Sequence, residues 1–111
     1  MKTKTIKVAT DFSKFPAGRH EKDGPHTGEG FRKKFLSNNI TEFDKIIIDF
    51  DGTLGGGSSF LEEAFGGLVR IDKLKAEYIL NKLDIVSQRE SIKQSIVDYI
   101  QKADSDTTNK D

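Results

Sequence analysis

The sequence predicts an α/β fold, a small mixed sheet of three to four strands with covering helices. Two observations carry that reading. Apolar runs of strand length alternate with segments of helical periodicity, the order expected of a mostly parallel sheet. Ile46-Ile47-Ile48 and Phe50 form an unbroken apolar run flanked by acids, the pattern of a central strand buried on both faces.

The elements follow in order. Thr5 to Thr10 alternates Ile6 and Val8 with Lys7 and predicts a half-exposed strand. Asp11 to Gly30 mixes glycine, proline and charge, which is loop chemistry, with a short strand near Gly18–His20. Phe31, Phe35 and Leu36 make the stripe of a short helix to about Asn38. After the Ile46–Phe50 strand, Ser59-x-x-Glu62 reads as a capping box opening a helix through Leu68, with Phe60, Ala64 and Leu68 on one face. Gly66-Gly67 weakens that helix near its end or permits close packing. Leu74, Tyr78 and Ile79 continue a helical spacing after Asp72, a candidate cap. Leu83, Ile85 and Val86 predict a strand. Ser87-x-x-Glu90 is a second capping box, and Ile92, Ile96, Val97 and Ile100 stripe the last helix.

Composition bounds the function. With 111 residues the chain supports one modest core, taken as residues 1–103, with 104–111 as a disordered polar tail. Lys+Arg and Asp+Glu are both 18, so no global field recruits nucleic acid or an anionic membrane. The sequence has no cysteine, which removes disulfides and thiolate metal sites and suits a reducing cytoplasm. The basic N-terminus lacks a long apolar run, so no signal peptide is expected. No segment approaches the ~20 apolar residues of a membrane helix.

Several short motifs need weighing. Asp49-Phe50-Asp51-Gly52-Thr53-Leu54 resembles the nucleophile motif of haloacid-dehalogenase-like phosphatases. That resemblance implies a Mg²⁺ enzyme in which Asp49 attacks phosphorus and Asp51 protonates the leaving group. No second acidic pair follows a later apolar strand, since Asp84 stands alone, and Asp-Gly is also a common turn pair. Gly52 to Ser59 imitates phosphate-loop spacing but places Ser58 where lysine belongs. His20 and His26, with Asp23 between them, lie in a loop with no register to fix a metal geometry. Arg32-Lys33-Lys34 has no stacking platform and reads as a solvated face. No catalytic residue, metal or cofactor is therefore expected.

Four segments together resemble a known family: Gly18–Leu36, Ile46–Gly52, Ser58–Leu68 and Leu83–Ile100 are similar to the bacterial STAS-like domain family, which has no settled function. More distantly they resemble the STAS domains of anti-sigma factor antagonists. The resemblance implies a small α/β domain that regulates by binding proteins, with histidine-kinase-like ATPases as typical partners. In the antagonists the phosphorylated residue is the second serine of an Asp-Ser-Ser-Gly motif, which falls on Ser59, with Ser58 beside it. Gly57 and Phe60 stand where that motif has Asp and Gly. A helix N-terminus suits a phosphate, yet Glu62 and Glu63 crowd the first turn, and a plain N-cap also accounts for Ser59. Arg19, Asp23, Thr27, Glu29 and Arg32 lie in a loop long enough to be functional, and with Gly57 and Phe60 form the expected partner surface. Arg-carboxylate pairs pinning the loop explain the same residues.

Overall fold

The computed structural model describes residues 1–108. Three parallel strands form one sheet in the order β1 (Thr3–Lys7), β2 (Lys45–Asp49), β3 (Leu83–Val86). Among the described residues the sheet therefore has three strands, not four, and both of its pairings are parallel. The strand expected to reach Thr10 ends at Lys7, where a π-helical turn at Val8–Phe12 takes over. The segment near Gly18–His20 is not a strand; Gly18 turns the chain at φ +91°.

Between β1 and β2 lies α1 (Gly28–Phe31), which runs on through a π-helical turn at Arg32–Leu36. Between β2 and β3 lie α2 (Ser58–Leu61), a π-helical turn at Glu62–Gly66, α3 (Gly67–Arg70) and α4 (Ala76–Lys82). The backbone stays helical across the first three of these, so residues 58–70 form one rod. The last helix, α5, covers Glu90–Thr108.

The strand order explains the layering. Successive parallel strands added in one direction through right-handed crossovers place every crossover on the same face of the sheet. Side-chain burial follows that rule. Ile6, Ile48 and Ile85 stand side by side in register and are buried, as is Ile46. On the opposite face Thr5, Ile47 and Asp84 form one row and Lys7, Asp49 and Val86 the next, exposed or half-exposed throughout. The expectation that β2 is covered on both faces is thus corrected: its 45–49 segment alternates half-buried and buried residues. β2 is central, and helices cover one face.

The core lies between that face and the helices. Phe31, Phe50, Phe60 and Phe65 join the isoleucines there, each at most 1% exposed. Burial of such a side chain contributes roughly 1.5–3 kcal/mol. Ile92, Ile96, Ile100 and Ala103 of α5 close the layer. α5 also continues past the expected boundary: residues 104–108, expected as tail, are helical, and 109–111 lie outside the described residues. Local bonds support that extension, with Thr107 Oγ1 donating to the Ala103 carbonyl at 2.8 Å. Asp104 accepts the Ala76 N–H at 3.3 Å and so caps α4, the role expected of Asp72.

Candidate functional site

The carboxyl ends of the three strands share one end of the molecule, and the loops that leave β1 and β2 meet there. The loop leaving β2 there is shaped by two glycines with positive φ, Gly52 at +89° and Gly56 at +76°. Thr53 is buried and donates to the Phe50 carbonyl at 2.7 Å. The long loop after β1 runs alongside: the Leu54 N–H donates to the Lys14 carbonyl at 2.6 Å, and the Gly56 N–H to the Pro16 carbonyl at 2.8 Å. A Cβ at Gly55 would meet the Pro16 carbonyl oxygen at 2.7 Å, so this pairing requires glycine there. The two segments together present Phe15 at 62% exposure and Leu54 at 72%.

Ser58 and Ser59 follow directly and are both exposed. Neither serine side chain makes a hydrogen bond among the described residues. Gly57 is the N-cap of α2, with extended backbone at φ −68° and ψ −177° and no side-chain cap bond. The expected Ser59–Glu62 capping box is therefore absent, because Glu62 is taken elsewhere. Arg70 approaches both its carboxylate oxygens, and Arg19 donates to one of them. Burial pushes the Glu62 carboxyl up, but the Arg70 and Arg19 hydrogen bonds outweigh it and hold the group below the usual glutamate range. The Arg19 guanidinium is raised in turn, chiefly by its hydrogen bond to Glu62.

A cleft of about 200 Å³ beside the serine turn is lined by Ser58, Leu61, Arg89, Ser91 and Tyr99 among others. Arg89 also donates to Thr53 Oγ1 at 3.3 Å, linking the β2 loop to the start of α5. Ser87 does not cap α5 as a box; it accepts the Arg89 N–H at 3.0 Å.

The residues expected to form the partner surface divide. Arg19 is half-buried and bridges to Glu62. Asp23 is exposed; its carboxylate accepts the His20 N–H at 2.9 Å, and that bond lowers its pKa. Glu29 accepts the Glu21 N–H at 2.8 Å, which lowers its carboxyl likewise, and pairs with Lys33. Gly57 is exposed at the turn. Thr27, Arg32 and Phe60 are instead buried. Thr27 caps α1 by accepting the Gly30 N–H at 3.2 Å. Phe60 packs on Phe31, ring centres 5.8 Å apart. Arg32 is 1% exposed and pairs with the buried Glu63 at 2.8 Å. Phe15, Leu54 and Arg89 were missed because an isolated apolar or cationic residue in a loop gives no pattern. Only tertiary pairing sets their exposure.

Asp49 and Asp51 serve the turn. Asp49 ends β2 and accepts the Asp51 N–H at 2.9 Å, and Asp51 accepts the Gln88 N–H at 2.9 Å. No group of three His, Cys, Asp or Glu side chains that could hold a metal occurs among the described residues. No described helix is long and apolar enough to cross a membrane.

A family model described as a STAS-like domain of unknown function (DUF4325) matches residues 27–93. The match spans the helix α1, both later strands, the serine turn and the start of α5, and excludes the Lys14–Pro16 strip. No curated protein and no solved structure gives a significant match. With more than half of its length matched, the chain belongs to the STAS-like domain family.

Proposed function

We propose that this domain is a non-enzymatic regulatory module that binds a protein partner through the carboxyl end of its sheet. One observation carries the reading. Two exposed serines, without hydrogen bonds among the described residues, come three glycines after Leu54, which with Phe15 forms an exposed apolar pair on loops joined by backbone pairing. Exposed apolar residues fixed on rigid backbone, rimmed by polar groups, are characteristic of protein-binding surfaces. The likeness to anti-sigma factor antagonists supports a histidine-kinase-like ATPase as the partner and phosphorylation of Ser59, or of Ser58, as the switch. A phosphate adds nearly two negative charges to the same end of the sheet and opposes an apolar contact there. The engagement of Asp49 and Asp51 by backbone N–H groups supports a turn-forming role for them over phosphatase chemistry.

The test is calorimetric titration of the domain with a histidine-kinase-like ATPase from the same organism. Wild type binds. Phe15→Ser combined with Leu54→Ser weakens binding at least about tenfold, since losing two buried apolar contacts costs more than ~1.4 kcal/mol. Equal affinity of wild type and the double variant removes this surface from the proposal.

A further inference from the structure

Three of the four arginines are committed to carboxylates. Arg19 and Arg70 hold Glu62, and Arg32 holds Glu63. Arg89 is the exception, with no ion pair among the described residues. Its side chain makes one hydrogen bond there, to Thr53 Oγ1 at 3.3 Å.

Arg89 borders the cleft of about 200 Å³ between the serine turn and α5. Ser91, Ser95 and Tyr99 line it from α5, where they recur at i, i+4 and i+8 and so share one helix face. Ser58 lines it from the start of α2. None of these four hydroxyls makes a hydrogen bond among the described residues. The buried Leu61 and Ile92 also border the cleft, so its walls belong to packed helices. Among the described residues that line it, none carries a carboxylate. The acids nearest on α5, Glu90 and Asp98, fall on the neighbouring helix face, where Asp98 accepts a hydrogen bond from Gln94 at 2.9 Å.

This composition selects a ligand. An unpaired guanidinium in a site without carboxylates favours an anion. A carboxylate is satisfied by the fork of the guanidinium alone and leaves the hydroxyls unused. A phosphate group takes the same fork and keeps further oxygens for hydroxyl donors. Volume sets the size. Small-molecule pockets usually run from ~300 to 1,000 Å³, so this cleft holds a phosphate with little attached to it.

We propose that the cleft binds a phosphate group through Arg89, with Ser91, Ser95 and Tyr99 donating hydroxyls to its remaining oxygens. The group comes from one of two sources. It is a free phosphate or small phosphate monoester, or it is a phosphoryl group carried by Ser58 on the rim. Ser59 does not border the cleft. The second source rests on the proposed phosphoserine switch; the first does not. A protein kinase loads Ser58 when its Oγ attacks the terminal phosphorus of a nucleoside triphosphate, the hydroxyl proton passes to the kinase's base, and the nucleoside diphosphate departs.

The test follows backbone amides of the ¹⁵N-labelled full chain while sodium phosphate is added, with sodium chloride of equal ionic strength as control. Phosphate should shift Arg89, Ser91 and Ser95 saturably and beyond the chloride shifts. Arg89→Gln, an exposed change, should weaken binding at least tenfold, and Ser91→Ala with Ser95→Ala at least threefold. Lys93→Gln removes an exposed charge outside the cleft and should leave affinity unchanged. For the second source, phosphoserine is installed at position 58 by genetic encoding. If Ser58 is the carrier, Ser91 and Ser95 shift without added phosphate, and Arg89→Gln abolishes those shifts. Saturable binding to the unmodified chain, with no such shifts in the phosphoserine chain, identifies a free ligand. The proposal is overturned if neither form moves these amides beyond the chloride control, or if Arg89→Gln behaves as wild type does. Equal losses in Lys93→Gln and Arg89→Gln also overturn it, reducing the effect to net charge. No partner protein takes part, so this result is separate from any failure of the proposed interface.

Discussion

The guanidinium of Arg32 occupies the space where a side chain at Gly67 would stand: a Cβ built on Gly67 overlaps Arg32 Nη1 and lies 2.9 Å from its Cζ. The glycine pair at Gly66-Gly67 therefore serves a charge. Arg32 crosses from the turn after α1, reaches under the 58–70 rod and donates to both the Glu63 carbonyl and carboxylate at 2.8 Å. Gly67→Ala should accordingly destabilise the fold by ~3 kcal/mol, because it dislodges a buried ion pair. In an ordinary helix the same substitution stabilises by up to ~1 kcal/mol. Urea unfolding of the two proteins gives the sign, and a gain in stability would show that Arg32 relaxes freely.

The Arg32–Glu63 pair itself makes a second prediction. Both side chains are nearly fully buried, and Arg32 Nε has no hydrogen-bond partner among the described residues, with the Asp72 carboxylate 3.6 Å away. Removing Glu63 alone, as Glu63→Leu, strands a buried cation and should cost ~3–5 kcal/mol. Replacing both, with Arg32→Met and Glu63→Leu together, should cost much less than Glu63→Leu alone. A double-mutant cycle by chemical denaturation measures the difference. Additive losses would mean that the pair does not interact.

These relationships show what the sequence could and could not reveal. Strand and helix identity was legible because Ile46 and Ile48, and the Ile92-Ile96-Ile100 stripe, carry their own periodicity. The open sheet face was not, because Ile47 makes the run look continuously buried, and only strand order and crossover hand decide which face is covered. The Ser59–Glu62 signature misled for a related reason. Arg19 and Arg70 take Glu62, one from 43 residues upstream, and a local pattern does not register that competition. The cap of α4 by Asp104 spans 28 residues and was equally invisible. The serine turn was found by resemblance and local motif, while its apolar neighbours Phe15 and Leu54 emerged only from the backbone pairing of two distant loops.

Acid stability should report on Glu62. Its folded pKa is depressed, so its contribution is fully present above the unfolded value of roughly 4.3 and is lost as pH falls through the lower folded value. Glu62→Gln should therefore lower stability at neutral pH and flatten the acid limb of the stability curve below about pH 4.3. Asp23 and Glu29 have the same sign but are solvated and should add little. Thermal melts from pH 2 to 7 test this; an unchanged acid limb in the variant would place the sensitivity elsewhere.

The turn before α2 separates capping from binding. Because Gly57 holds the N-cap position and nothing lies within 4 Å of a Cβ built there, Gly57→Asp should fit and stabilise the fold by a few tenths of a kcal/mol, up to ~1. That change also supplies the Asp that precedes the serine pair in the antagonist motif. Ser59→Ala should cost under ~0.5 kcal/mol, since its hydroxyl bonds to nothing described and no cap is lost. Ser59→Asp should be as mild for folding, because a carboxylate in the first turn suits the helix dipole. Its effect on the partner should be large. If Ser59 lies in the proposed interface, a new charge desolvated there should weaken binding of the proposed partner at least tenfold, while Ser59→Ala leaves it intact. Melting curves first match the folded fractions, and titration of each variant then compares affinities. If Ser59→Asp and Ser59→Ala bind as wild type does, Ser59 lies outside the interface, and the same pair of substitutions at Ser58, which lines the cleft with Arg89, becomes the decisive comparison.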